Sequence, residues 1–409
     1  MNNINIRSIV FKILTEVFYK DKKLNDEIEN SINHYKITDS VDKAFIKKEC
    51  TGIIENIETL DENINKFSKT KTNKLDNDIL IILRIGFYEL IYMSKIGNYA
   101  TVNECVKLTK TTKSRFLDKY VNAVLRSATR ELDLNVDESG EKRCYFRIFN
   151  DGLDIVLKEL NDKKINYYEY DGALSFKFAK VFYTSNYKDI LELDSFANGY
   201  ILIQDASSIF LADKLCEYIK DNNKSSDSIK ILDTCSSPGG KILGLVDLLK
   251  SDFKNIEAIS HDISTNKTDK INENIKRLKA KNINTSVNDA TEYIEKYDNY
   301  FDIVICDVPC SGLGVIDKKP DIKLKTTDDK IASLVELQTK ILNVSKKYVK
   351  VDGLLSYSTC TETKEENENN IEKFLNENIN FEKAFEKSIK HNDDNNCDGF
   401  YFALLNRKS

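Results

Sequence analysis

The stretch 231–241, ILDTCSSPGGK, runs an apolar segment into Asp233, then into small residues, one proline and two glycines, and a helical pattern follows at once. A buried strand turning directly into a helix belongs to an open α/β sheet, where ligands sit beyond the carboxyl ends of the strands. Glycines at that turn let a ligand approach backbone N–H groups and a helix N-terminus. The spacing is neither G-x-G-x-x-G nor the phosphate-loop pattern, so a dinucleotide or nucleoside triphosphate is not the first expectation. Glycine can also serve packing alone at such a turn, so other residues must decide.

Working outward, strand and helix patterns alternate from residue 196 to the end. The strands are read at IKILDTC, NIEAISHD, INTSVND, YFDIVICDVPC, GLLSYSTC and FYFALLN, and the helices between them include GKILGLVDLLK and a long one at 327–350. Strands joined by helices of this length predict a doubly wound parallel sheet with right-handed crossovers. Upstream, CYFRIF, INYYEY, ALSFKFAK and VFYTSN are short aromatic and β-branched runs with one helical stretch, GLDIVLKELNDK, which predicts a small α/β domain over residues 131–195. Residues 1–130 carry apolar positions at three- and four-residue spacing, with helix ends expected near 20–23, 68–78 and 94–101, and so predict an all-helical domain. The expected chain is multidomain: all-α, small α/β, then an α/β doubly wound domain over 196–409.

Three successive strand ends carry aspartate. Asp233 ends the first, Asp262 in ISHDIS the second and Asp289 in VNDA the third. Each alone could be a helix cap. Together they suit an adenosine-containing ligand, with Asp262 on the ribose hydroxyls and Asp289 near the adenine amino group. Since no phosphate-binding lysine motif is present, S-adenosylmethionine fits best.

The fourth strand ends in DVPCSGLG, with Asp307 and Cys310, and the fifth in YSTC, with Cys360. Neighbouring strands lie about 4.8 Å apart, so two cysteines leaving the same edge can flank one substrate. Buried free thiols or a disulfide are the plainer alternatives. In a methyl-transfer site a thiol has a definite use. Carbon 5 of cytosine is a poor nucleophile until a thiolate adds to carbon 6, and after methylation the carbon 5 proton and the thiol must both leave. Such a base must be unpaired or flipped out of its helix.

Composition sets bounds. Charged residues make 31% and hydrophobic ones 41% of 409, which describes a soluble globular chain with material for more than one core. No apolar stretch reaches the length of a membrane span, and the N-terminus lacks the pattern of a secretory signal, so no membrane association and a cytoplasmic location are expected. The nine cysteines are scattered without a C-x-x-C pair, and the three histidines lie far apart, so neither a disulfide frame nor a metal site is expected. The net charge of −5 gives no sign of nucleic acid, yet within 101–130 seven basic residues, among them Lys113, Arg115 and Lys119, face only Glu104 and Asp118. That run is either a solvated helix face or a surface that tracks RNA phosphates.

The motifs DTCSSPGGK, DVPCSGLGVIDKKPDIK and YSTCTETKEEN, with QDASS upstream and DGFYFALL at the end, resemble the RNA cytosine-5 methyltransferases of the Sun and nucleolar-protein type. The helical part, with YVNAVLR, is similar to the RNA-binding domain of the antitermination factor NusB, a combination that resembles the bacterial branch acting on small-subunit ribosomal RNA. The resemblance implies Cys360 as nucleophile and Cys310 as the group that assists product release. It implies that Cys235, Ser236, Ser237, Pro238, Gly239, Gly240 and Lys241 cradle the methionine part of S-adenosylmethionine, with Asp262 on the ribose, Asp289 near the adenine and Asp307 near the sulfonium and target base. The chain departs from the family at Ser236 and Ser237, where alanines are usual, and at Lys318 and Lys319, where arginines are. Lysine cannot reproduce the forked contact of arginine. The expected partner is 16S ribosomal RNA and the expected state a monomer. Transfer RNA as substrate, or a non-catalytic RNA-binding or antitermination factor, are the competing readings.

Overall fold

The computed structural model describes residues 5–93, 95–131, 143–222, 227–391 and 394–409. They fall into two compact units, one holding the residues ahead of position 141 together with Ile316–Lys325, the other holding the rest. Residues 132–142 of the expected middle domain, and 392–393 of the loop HNDDNNCD, lie outside the described residues.

The first unit is helical. Its helices are Ile6–Tyr19, Leu24–His34, Ser40–Glu55, Ile57–Phe67, Asn77–Tyr92, Asn98–Thr109 and Asp118–Glu131. Asp39 and Asp76 cap two of them by accepting the N–H groups of Val41 and Asp42, and of Asp78 and Ile79. Asn77–Tyr92 is buried on every side from Ile79 to Ile91, as a helix apolar all round must be. The two charges that interrupt it are paired: Arg84 makes a forked contact with Asp61 at 2.8 and 2.7 Å, and Glu89 one with Arg7 at 2.5 and 3.0 Å. Helix Leu24–His34, with only Leu24 and Ile28 buried, has too thin an apolar stripe to stand out in the sequence.

Beside the Arg7–Glu89 pair, Glu49 is fully buried, and its pKa lies well above the carboxylate range because burial, and then the charge of Glu89, penalise ionisation. Its folded pKa exceeds the unfolded one, so the stability tied to its proton is complete below about pH 4.5 and is lost as pH rises through the folded value. Glu49→Gln keeps a donor and removes the ionisation. It should melt with wild type near pH 4 and a few degrees higher at pH 8, a gain of about 1–2 kcal/mol, read by thermal unfolding across pH.

In the second unit the strands are β1 (Cys144–Ile148), β2 (Tyr168–Glu169), β3 (Lys180–Thr184), β4 (Ile201–Ile203), β5 (Ser228–Asp233), β6 (Asn255–Asp262), β7 (Ile283–Val287), β8 (Phe301–Asp307), β9 (Val349–Thr359), β10 (Phe381–Ile389) and β11 (Phe400–Arg407). A four-stranded antiparallel sheet has the order β2-β3-β1-β4, and a seven-stranded sheet the order β10-β11-β9-β8-β5-β6-β7. In the large sheet β7, β6, β5, β8 and β9 are parallel, while β11 runs antiparallel to both β9 and β10.

Alternation explains why the large sheet is covered on both faces. Ile231, Ile303, Ile305, Leu354, Phe402 and Leu404 enter one core with helices Ala206–Asn222 and Gly240–Leu249. Their neighbours Leu232, Val304, Cys306, Leu355, Ala403 and Leu405 enter the opposite core with Asp328–Ser345 and Glu368–Glu377. The small sheet alternates likewise: Phe146, Ile148 and Phe182 pack on helix Leu153–Asp162, while Tyr145, Val181 and Tyr183 join the core of the large sheet.

Two elements differ from expectation. ALSFKFAK forms no strand before Lys180, because the buried carboxylate of Asp213 takes the N–H groups of Lys177, Phe178 and Ala179 at 2.7–2.8 Å, away from any ladder. The sheet is also not wholly parallel: β10, FEKAFEKSI, is a mostly exposed edge strand, and it returns the chain antiparallel into β11. Among the described residues no helix is long and apolar enough to cross a membrane.

Candidate active site

From β5 the chain runs outward to β6 and β7 on one side, and β8 and β9 lie on the other, so strand order reverses between β5 and β8. The turn after β5 is built for that place. Thr234 N–H donates to Ile305 O, Ser236 N–H to His261 O and Ser237 N–H to the carboxylate of Asp262, at 2.9–3.0 Å. Gly239 has φ +95°, and a Cβ there would stand 3.1 Å from Leu243, so glycine alone fits.

A cavity of about 370 Å³ opens over the ends of β5 and β8, walled in part by Ser236, Ser237, Pro238, Gly240, Lys241 and Asp307. Its volume suits a small ligand. Three buried polar atoms on it have no hydrogen-bond partner: Asp233 Oδ2, Ser236 Oγ and Gln204 Oε1. Two acceptors and a hydroxyl beside free turn geometry fit the ammonium end of an amino acid, and so fit the methionine part of S-adenosylmethionine.

Lys241, in the first turn of its helix, pairs with Asp307 at 2.5 Å, and Ser358 donates to the other oxygen of Asp307 at 2.7 Å. Burial opposes the charge on Lys241, but Asp307, then Asp233 and Cys360, hold its pKa above the ordinary value. Burial first, and then the charge of Asp307, push Asp233 up to about 7.

Because Asp307 of β8 lies opposite Ser358 of β9, the residues that follow leave side by side. The sulfurs of Cys310 and Cys360 stand 3.3 Å apart, and the N–H of Cys360 also points to the Cys310 sulfur at 3.3 Å. Both thiols are half-buried, and neither is in a disulfide. The Cys310 pKa is held well above the usual range, first by its contact with Cys360 and then by burial.

The remaining candidates are placed less directly. Cys235 is next to the cavity turn, and burial raises its pKa far above that of a reactive thiol. Asp262 ends β6 buried, accepting from Ser237 and Ile263 and pairing with Lys267 at 2.9 Å. Asp289 is exposed and caps its own turn, accepting from Thr291 N–H and Oγ1, a bonding that lowers its pKa. In the helical unit Lys107 and Lys110 of the basic run are partnered by Glu104 and Asp118, and Phe116 beside Arg115 is 75% exposed. Sequence reasoning missed the Lys241–Asp307 pair as a pair, the cavity-facing amide of Gln204, and Glu366 behind the thiols. Gln204 and Glu366 both lie inside quoted motifs, QDASS and YSTCTETKEEN, and that was the available signal. Among the described residues no cluster of histidine, cysteine and carboxylate could hold a metal.

A largely parallel sheet with an antiparallel strand beside β9, and a glycine turn cradling a cavity where strand order reverses, are the fold and site of the S-adenosylmethionine-dependent methyltransferase class, and the comparisons with known proteins agree with that class. Residues 221–406 match the family model described as 16S rRNA methyltransferase RsmB/F, and residues 4–130 match the NusB family. The chain is thus similar to the RsmB/F methyltransferases over 221–406 and to the NusB family over 4–130, the likeness its motifs also carry. It is 26% identical over 417 residues to the probable ribosomal RNA small subunit methyltransferase B of Bacillus subtilis, covering 93% of this chain and 90% of that protein. It is 27% identical over 407 residues to ribosomal RNA small subunit methyltransferase B of Klebsiella pneumoniae, covering 91% and 90%. Among solved structures, that of PH0851 matches with TM-score 0.74 at 18% identity over 98% of this chain and 99% of its own. NSun6 from Pyrococcus horikoshii with SFG matches with TM-score 0.51 at 18% identity over 74% and 97%. At these identities the structural likeness is one of fold.

Proposed function

We propose that this protein methylates carbon 5 of a cytosine in small-subunit ribosomal RNA through a covalent adduct with Cys360. The observation that carries the reading is the pair of sulfurs 3.3 Å apart at neighbouring strand ends, next to the Lys241–Asp307 pair at the switch point. S-adenosylmethionine, when bound, supplies an electrophilic methyl group. Cys360 as thiolate adds to carbon 6 of the ring, which makes carbon 5 nucleophilic enough to take that methyl. Loss of the carbon 5 proton and cleavage of the carbon–sulfur bond then restore the ring double bond and release the Cys360 thiolate, with Cys310 assisting this exit. The turn 235–241 with Asp262 and Asp289 holds the cofactor in this reading, and Asp307 faces the sulfonium and the base. The helical residues 1–130, the part 131–195 and the catalytic part 196–409 act as one cytoplasmic monomer on the RNA.

The names of the relatives support the ribosomal substrate. Bisulfite sequencing of ribosomal and transfer RNA from cells with and without the protein tests it. One small-subunit cytosine protected only when the protein is present is the expected result. No protein-dependent cytosine in ribosomal RNA overturns it, and a protein-dependent cytosine in transfer RNA instead moves the substrate assignment.

A further inference from the structure

Behind the two thiols lies a carboxylate that the reaction just described does not use. Glu366 is fully buried, six residues beyond Cys360 and just ahead of helix Glu368–Glu377. Its Oε1 accepts from the N–H of Ser311 and from Nε2 of Gln338, both at 2.9 Å. Its Oε2 accepts from the hydroxyl of Ser311 at 2.5 Å and from that of Thr363 at 2.8 Å. A buried carboxylate with four donors is worth its desolvation only if the groups it gathers need to be held.

The gathered groups flank both sulfurs. Ser311 follows Cys310, and its hydroxyl also meets Thr361, the residue after Cys360, at 2.8 Å. Gln338 donates in addition to the carbonyl of Pro309, the residue before Cys310, at 3.0 Å. One carboxylate therefore ties the turn 309–311 to the turn 360–363. Contact with Cys360 and burial are the main causes that raise the Cys310 pKa, and the charge of Glu366 adds to them, while Lys241 and Cys360 act on each other. A negative charge disfavours thiolate and a positive one favours it.

Resting on the reading of Cys360 as nucleophile, we propose that Glu366 is a positioning residue that fixes which thiol reacts. It clamps the turn 309–311 to the turn 360–363, which keeps the Cys310 sulfur against the sulfur and N–H of Cys360 and leaves Cys360 to meet the base. This arrangement predicts an order of reactivity that is measurable with no RNA and no cofactor.

The test follows alkylation of each cysteine by iodoacetamide across pH in the full-length protein, resolved by peptide mass spectrometry, alongside methyl transfer. Wild type should alkylate Cys360 at lower pH than Cys310. In Glu366→Gln the Cys310 midpoint should fall toward that of Cys360, and kcat should drop about ten- to a hundredfold with KM for RNA nearly unchanged, the range expected when a supporting partner is lost. Glu366→Asp keeps the charge and shortens the reach, so it should preserve the alkylation order and still lose kcat. A folded Glu366→Gln with wild-type alkylation profiles overturns the proposal. If that variant does not fold, wild-type kcat in Glu366→Asp overturns it instead. Failure of the nucleophile reading is distinguishable, since wild type itself would then alkylate Cys310 first or Cys360→Ala would still turn over.

Discussion

Cys360→Ala should lose methyl transfer by a factor of about 10⁴ or more, the scale for deleting a covalent nucleophile, while Cys310→Ala should trap RNA on the protein. An isolated thiol with a pKa near 8.5 is only about 3% thiolate at pH 7, so a nucleophilic cysteine needs help. Cys360 has it in Lys241, whose charge and that of the Cys360 sulfur act on each other. Cys310 has the reverse, since contact with Cys360, burial and Glu366 all raise its pKa. Cys360 does not wall the cavity that Asp233, Lys241 and Asp307 share, so cofactor binding to Cys360→Ala should match wild type by calorimetry. With labelled substrate RNA, a denaturing gel of Cys310→Ala should show a band of protein joined to RNA. A free-running band under conditions where wild type turns over would remove the case for two cooperating thiols. Neither truncation opens a large core cavity, so melting temperatures should stay within a few degrees of wild type.

How far the sequence reached depended on whether the deciding partners were local. Strand alternation put Leu232, Val304 and Leu355 on one face and Ile231, Ile303 and Leu354 on the other, and apolar runs that long have no other home than a sheet covered twice. That same regularity brought Cys310 and Cys360 to one edge, because β8 and β9 are neighbours in register. The failures are places where a distant side chain overrules a local pattern. Residues 173–179 alternate like a strand, but Asp213, more than thirty positions away, captures the N–H groups of 177–179. Strand β10 has the polar sequence of a helix surface and is held by its ladder to β11, with Phe381 and Ile389 buried at its two ends. Glu366 reaches Ser311 across 55 positions, a separation no periodicity encodes. Asp289, the carboxylate expected at the adenine, is exposed and accepts from two local donors of Thr291, bonding that a strand-end aspartate gives no sign of in the sequence.

Lys241→Met should lower kcat/KM about 10²- to 10³-fold and move the activity optimum to higher pH, because it strips the cation from a site holding two acidic side chains and, in the proposed reaction, a thiolate. The ammonium is largely buried, 2.5 Å from Asp307 and 5.4 Å from the centre of the Phe400 ring, and a methionine of similar length can keep the apolar part of that packing. What it cannot keep is charge. Asp307 would retain only Ser358 as a partner in the site, and Asp233, already pushed up to about 7 by burial and by Asp307, would rise further. A carboxylate whose folded pKa exceeds its unfolded one is fully stabilising when protonated, below about pH 4, and loses that stability as pH climbs through the folded value. The melting temperature of Lys241→Met should therefore fall more steeply than that of wild type between pH 5 and 8. Cys360 in the same variant should alkylate only at higher pH, since the cation that favours its thiolate is gone. Unchanged alkylation of Cys360 with unchanged melting across that range would mean that Lys241 serves Asp307 alone and that the nucleophile draws its reactivity from elsewhere.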